Sequence, residues 1–302
     1  MNLRLMALNI REFVPDLSIP VIKQRVNVRY KQILNAEKWE FLKASTTVRL
    51  RGIETNSSTM TVAVNPSGVT VTGTGTTWYA KAASGWLFRV DSESQPYEVS
   101  SVTNDTQILL TTAYGGTTVT AGDFEYFKNR YTPDVGDCGE INSIVYQSQL
   151  TETTEAWINA HDPERTSTGA PSRWVNHSKS TAVDGLVTFE IWPIPDQDYV
   201  VTVNYTKTVA DLSSDTDSPL FRPEVLEAGA LWDCYRIAFR ITNNTAYIGL
   251  ARDAKTDFET ELRKMTLEDL RTASLPRRVR DVMGVLDMGG WDDNFRTRHD
   301  VD

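Results

Sequence analysis

The chain has 302 residues, 40% of them hydrophobic, and a formal net charge of -9. That length supplies one or two ordinary domains, each able to bury a core. The acidic balance argues against a protein built to grip nucleic acid phosphates, which takes clustered Lys and Arg to displace counterions. Cys138 and Cys234 are the two cysteines, so no disulfide framework is expected and a reducing compartment is.

The opening MNLRLMALNIREF is interrupted by Asn9, Arg11 and Glu12 before an apolar core of signal length forms, so no export signal is read. No window reaches the roughly 18 consecutive apolar residues of a membrane span, and a soluble chain is expected. From 19 to 42, Ile22, Val26, Tyr30, Ile33 and Leu34 recur near helical spacing, with Trp39 and Phe41 just beyond. This predicts an amphipathic helix and its aromatic stop. Lys23, Arg25, Arg29 and Lys31 lie between the apolar positions, and Glu37 and Glu40 follow at once, so the basic residues read as a solvated face.

From 52 to 131 the texture turns to Thr, Ser, Val and Gly. Short alternations such as TMTVAV, GVTVTG, WLFRV and TQILLT are separated by Asn65-Pro66, Gly73, Gly85, Asn104-Asp105 and Gly115-Gly116. Turn chemistry at such close intervals predicts a small all-β barrel or sandwich inserted into another domain. Gly73-Thr74-Gly75 has neither the third glycine nor the helix of a nucleotide-binding turn, and is read as an ordinary turn.

Between 132 and 210 the stretch VTFEIWPIPDQDYVVTVNYTK carries two period-2 runs, Val187, Phe189 and Ile191, then Tyr199, Val201, Val203 and Tyr205. Pro193 and Pro195 stop the first run and Asp196, Gln197 and Asp198 give room to turn, so a β-hairpin is expected. Before it, HDPERTSTGAPSRWVNH places His161, Asp162, Glu164 and His177 in a polar connection. Their spacing fits no zinc pattern and a surface loop is expected.

FRPEVLEAGALWDCYRIAFRIT reads as a helix starting at Pro223, with Glu224 and Glu227 near its positive end and Arg236 and Arg240 near the other. One stripe runs Leu226, Ala230, Cys234, Ile237, Ile241, and a second runs Val225, Gly229, Trp232, Phe239. A helix apolar on more than one side is buried in a subunit or clamped between subunits, with Leu226, Gly229, Leu231 and Trp232 as its candidate core or interface residues. A second helix over 245–270 places Leu250, Ala254, Phe258, Leu262 and Met265 on the face that covers the first. The last section, 273–302, is broken by Pro276, Gly284 and Gly289-Gly290 and reads as an extended docking tail. Its basic run is Arg277, Arg278 and Arg280, and its apolar anchors are Val282, Leu286, Trp291 and Phe295.

No HExxH, GxSxG, P-loop or CxxC motif is present. Asp215 and Asp217 sit just ahead of a helix, where Asp and Ser satisfy free backbone N–H groups. The segment also lacks the glycine and terminal Glu of an EF-hand loop. The reading is therefore a non-enzyme with no cofactor and no metal. The expected fold is α+β: an adaptor-like core over 1–51 and 132–272, made of an N-terminal helix, a hairpin and two C-terminal helices, plus the β module 52–131 and the tail 273–302.

The order of these parts resembles the head-to-tail adaptor (connector) proteins of tailed bacteriophages. The resemblance is carried by 19–42 and 141–271, and chiefly by IWPIPDQDYVVTVNY followed by the helix holding Glu224 or Glu227, Gly229 and Ala230. It implies a twelve-fold homo-oligomeric ring in the virion neck, assembled in the host cytoplasm. Partners would be the portal protein above, a downstream tail or nozzle protein below, and genomic DNA passing without sequence specificity. The competing expectation is a β-rich carbohydrate or host-surface binding protein, in which Trp78, Tyr79, Trp86 and Tyr97 stack on sugar.

Overall fold

The computed structural model describes residues 1–55, 60–81, 83–91, 93–177 and 187–272. The chain opens with helices α1 (Leu3–Phe13) and α2 (Ile19–Ala36), then a 3-10 turn at Glu40–Leu42 and strand β1 (Lys43–Leu50). The strands β2 (Glu54–Thr55), β3 (Thr61–Val64) and β4 (Thr70–Thr74) follow. A single turn α3 (Trp78–Lys81) leads to β5 (Leu87–Val90), β6 (Tyr97–Asn104), β7 (Gln107–Leu110), β8 (Val119–Gly122) and β9 (Phe124–Phe127). The return runs through β10 (Arg130–Tyr131), β11 (Cys138–Tyr146), β12 (Ser148–Gln149), β13 (Thr151–Glu152), α4 (Glu155–His161), β14 (Arg173–His177), β15 (Thr188–Trp192) and β16 (Tyr199–Lys207). Helices α5 (Pro223–Thr242) and α6 (Ala246–Thr272) come last. Two units result, Met1–Leu42 with Val209–Asp302, and Lys43–Thr208.

In the helical unit, α1 starts because Asn2 Oδ1 accepts from Leu5 N at 3.0 Å, and Leu3, Met6, Ala7 and Ile10 form one buried stripe. Within 19–42 the amphipathic helix ends at Ala36, and Trp39 and Phe41 follow it as the expected aromatic stop. Trp39 turns inward there, its Nε1 donating to Ile33 O at 2.8 Å, and residues 37–39 lead into the 3-10 turn. The carboxylate of Asp269 on α6 accepts from Glu40 N and Phe41 N, at 3.0 and 3.3 Å, which ties the 3-10 turn to the last turns of α6. Asp215 and Asp217 act as structural turn residues. Asp217 Oδ2 accepts from Ser213 N and Ser214 N, while the carbonyls of Asp217 and Asp215 accept from Leu3 N and Arg4 N at the start of α1. Helix α5 ends at Asn243, whose φ of 55° is the left-handed cap that lets its N–H reach Phe239 O.

In the other unit, two four-stranded sheets, ordered β1-β16-β11-β12 and β10-β15-β14-β13, enclose one core. Val48, Ile144, Val201 and Val203 come from the first sheet, and Tyr131, Trp174, Phe189 and Ile191 from the second. Here the expected hairpin is overturned. β15 pairs with β14 and β10, whereas β16 pairs with β1 and β11. Alternation fixes which residues face a core but not which strand lies alongside, and the proline-bounded turn carries the chain from one sheet to the other. The Asp198 carboxylate anchors the start of β16 by accepting from Gly52 N at 3.0 Å and from Arg49 and Arg51.

The inserted module is an eight-stranded sheet, ordered β2-β9-β5-β6-β7-β4-β3-β8, curled around its own core of Val62, Val71, Phe88, Val99, Ile108 and Phe124 among others. Its order begins at β2 and ends at β8, so among the described residues it is an open curled sheet and not a closed barrel. Register shifts within the β6–β7 pairing supply the bend.

Candidate functional site

Helix α5 is central to the helical unit. Val225, Leu226, Ala230, Cys234 and Ala238 are buried, and Pro223 occupies its first turn. The second stripe is used as well: Gly229 faces α2 and α6 so closely that a Cβ there would lie 2.9 Å from Arg29 Cγ and Cδ and from Phe258 Cδ2. The guanidinium of Arg29 is 4.7 Å above the Trp232 ring and 5.1 Å from that of Phe258, and its Nε donates to Asp233 Oδ2 at 3.0 Å. Arg236 and Lys255 approach the same indole at 5.7 and 5.6 Å. Trp232 is thus 5% exposed, held by aromatic and cationic neighbours of its own subunit. Leu231 is half-buried.

Two apolar positions depart from expectation. Ile241 is 65% exposed because α5 is ending there, and Leu250 is exposed on α6, whose buried face runs Tyr247, Ala251, Ala254, Phe258, Leu262 and Met265 instead. The tail residues Arg277, Arg278, Arg280, Val282, Leu286, Trp291 and Phe295 lie outside the described residues.

The polar connection 161–177 is not simply a surface loop. His161 is exposed and stacks on Trp157, but Asp162, Arg165 and Glu190 are buried. Glu190, at 0% exposure on β15, accepts from Arg165 Nε at 2.7 Å and from Asn129 Nδ2 at 3.1 Å, and bonds His177 Nε2 at 3.0 Å. Burial alone would raise its carboxyl; hydrogen bonds from His177 and Arg165, with their charges, outweigh this and hold it below the usual carboxylate range. Asp162 behaves alike. Burial raises it, and bonds from Thr166 N, Ser167 N and the Trp192 indole bring it below its ordinary value. Both carboxylates accept several hydrogen bonds from protein donors, as buried polar groups generally do. Among the described residues, no group of three or more His, Cys, Asp and Glu could hold a metal.

The aromatic set proposed to stack on sugar is mostly interior. Trp78, Trp86 and Tyr97 are buried in the core of the β module, and Tyr79, at 72% exposure, is the one of the four that faces solvent. Among the described residues, no helix is long and apolar enough to cross a membrane.

The fold thus combines a helical unit with α5 at its centre and a β unit that carries an inserted curled sheet. Residues 69–280 match the family described as SU10 adaptor protein, and the chain belongs to that family of phage adaptor-type proteins. The matched range takes in β4–β9 of the module as well as β10–β16, α5 and α6. No curated protein matches this chain.

Proposed function

We propose that this chain is the head-to-tail adaptor subunit of a tailed phage. Copies form a ring below the portal, twelve-fold as in the connector proteins that the sequence resembles. The ring extends the DNA channel and gives a downstream tail or nozzle protein its platform. The observation that carries this reading is the family match over 69–280, which spans both units. The charge of -9 per copy supports it, because a negatively charged ring disfavours adhesive contacts with passing DNA. The function is assembly, without a catalytic residue, cofactor or metal.

In this reading the tail 273–302 docks on the portal. Ordering an extended segment costs about 1–2 kcal/mol per residue in backbone entropy, so it needs a partner that accepts several anchors together. Val282, Leu286, Trp291 and Phe295 are those anchors, and Arg277, Arg278 and Arg280 steer them toward acidic portal surface. The test mixes portal-bearing, DNA-filled heads with the full chain and with a chain ending at Ser274, then measures co-sedimentation. The full chain should attach and the truncated one should not. Normal occupancy by the truncated chain would move the docking surface elsewhere, and failure of the full chain to attach would refute the adaptor reading.

A further inference from the structure

The curled sheet of the module and the two-sheet core of the same unit are separate apolar clusters. Polar groups join them around the buried ring of Phe127, which belongs to neither cluster. On β5, Phe88 and Val90 point into the module core, so Arg89 between them points out of the opposite face. It is nonetheless only 5% exposed. Its side chain pairs with Glu125, the residue directly opposite on β9, and lies 5.3 Å from the Phe127 ring. Its Nη1 then leaves the module and donates to the carbonyls of Glu164 and Arg165, at 3.0 and 3.4 Å.

The receiving loop is built rigidly. Arg165 holds a φ of 55°, a left-handed conformation that a non-glycine residue adopts only when its surroundings enforce it. The enforcement is visible: Arg165 Nη1 donates to Asp162 O at 2.6 Å, its Nε to Glu190, and its Nη2 to Asn159 Oδ1 at 2.7 Å. Asn129, in the connection that leaves β9, donates to the same Glu190, while its carbonyl accepts from Ile191 N at 2.9 Å. Both strand connections are tied on the two-sheet side. Tyr131 Oη accepts from Arg51 N at 3.1 Å and donates to Lys128 O at 2.8 Å.

We propose that Arg89 is the bolt of a polar latch that sets the pose of the module, and that releasing it lets the module swing about its tied connections while both cores stay folded. Seated, the guanidinium holds its carbonyl partners by charge-assisted bonds that are lost once it is removed, and contacts between folded cores permit relative motion by default unless the interface is large and hydrophobic. The latch is a conformational device: the module has one pose when Arg89 is seated and many when it is not.

The test uses the full chain with spin labels at Thr112→Cys on the module and Ser148→Cys on the two-sheet side, both exposed positions; the native Cys138 and Cys234 are buried. The parent should give one narrow distance distribution. Arg89→Met should widen it at least two-fold, with amide-exchange protection of β3–β7 retained, and Glu98→Gln, an exposed change elsewhere on the module, should leave it narrow. Should Arg89→Met unfold the unit globally, Arg89→Lys, which keeps the charge but has no fork, decides by the same widening. Parental width in a folded Arg89 variant, or loss of protection confined to the module strands, overturns the proposal.

Discussion

Replacing Trp232 by Ala tests the reading of α5 most sharply. The indole is 5% exposed, its ring centroid is 6.1 Å from that of Phe258, and the Arg29 guanidinium covers it at 4.7 Å. Removing a buried Trp costs about 3–5 kcal/mol through lost burial and the cavity left behind. Part of that, about 0.5–2 kcal/mol, is the cation–π contact, since Arg29 retains Asp233 but loses the aromatic face. Against a typical domain stability of about 5–15 kcal/mol the change is large, and for a unit of this size it corresponds to a fall in melting temperature on the order of 15–30 °C. Urea unfolding followed at 222 nm reports the helical unit, which holds α1, α2, α5 and α6. Leu231→Ala, at a half-buried position, should cost well under half as much. A shift below about 1 kcal/mol for Trp232→Ala, or a larger one for Leu231→Ala, would refute the packing described for this helix.

Gly229 and Gly249, both on helices, should respond with opposite signs. Gly249→Ala, where a Cβ meets nothing within 4 Å, should stabilise by about 0.5–1 kcal/mol from helix propensity. Gly229→Ala should destabilise, because a Cβ 2.9 Å from Arg29 and Phe258 costs about 1–3 kcal/mol in overpacking, and thermal melts of both variants check the pair. Glu190 has a lowered carboxyl, so its contribution is present above the unfolded pKa of about 4.3 and is lost as pH falls through the lower folded value. Glu190→Gln should therefore destabilise the Lys43–Thr208 unit by about 3–5 kcal/mol at pH 7 and flatten its acid limb, and an unchanged acid limb would contradict the assignment. Burial, with the Asp233 charge adding to it, pushes the Cys234 thiol up to about 12, and Cys138 is buried too. A chromogenic disulfide reagent at pH 8 should find no reactive thiol in the native chain and two in denaturant.

The central helix was legible because each of its stripes has a helical period and its start carries Pro223 followed by Glu224. The signal for α1 was also present, in Leu3, Met6, Ala7 and Ile10, but the charges of Arg11 and Glu12 next to it favoured a reading about export rather than about packing. The β strands were legible as strands and not as partners. Phe189 and Ile191 alternate as Val201 and Val203 do, yet they line one core from different sheets, and local alternation carries no information about the neighbour in space. The cluster around Glu190 was hidden for the same reason. Arg89, Asn129, Arg165, His177 and Glu190 are brought together by topology, and each by itself looks like a surface residue in sequence. The sugar reading failed on exposure, since Trp78, Trp86 and Tyr97 in a turn-rich segment do not reveal which side of the sheet they occupy.

The proposed place of this chain in the particle can be observed directly. A cryo-electron microscopy reconstruction of the virion neck, resolved well enough to recognise the α5–α6 pair and the curled β module, tests it directly. The expected result is a twelve-membered ring of this fold directly below the portal, with density for 273–302 running onto the portal and the DNA channel passing through its centre. A neck ring built of another fold, with this chain found on tail fibres or absent from the particle, would contradict it.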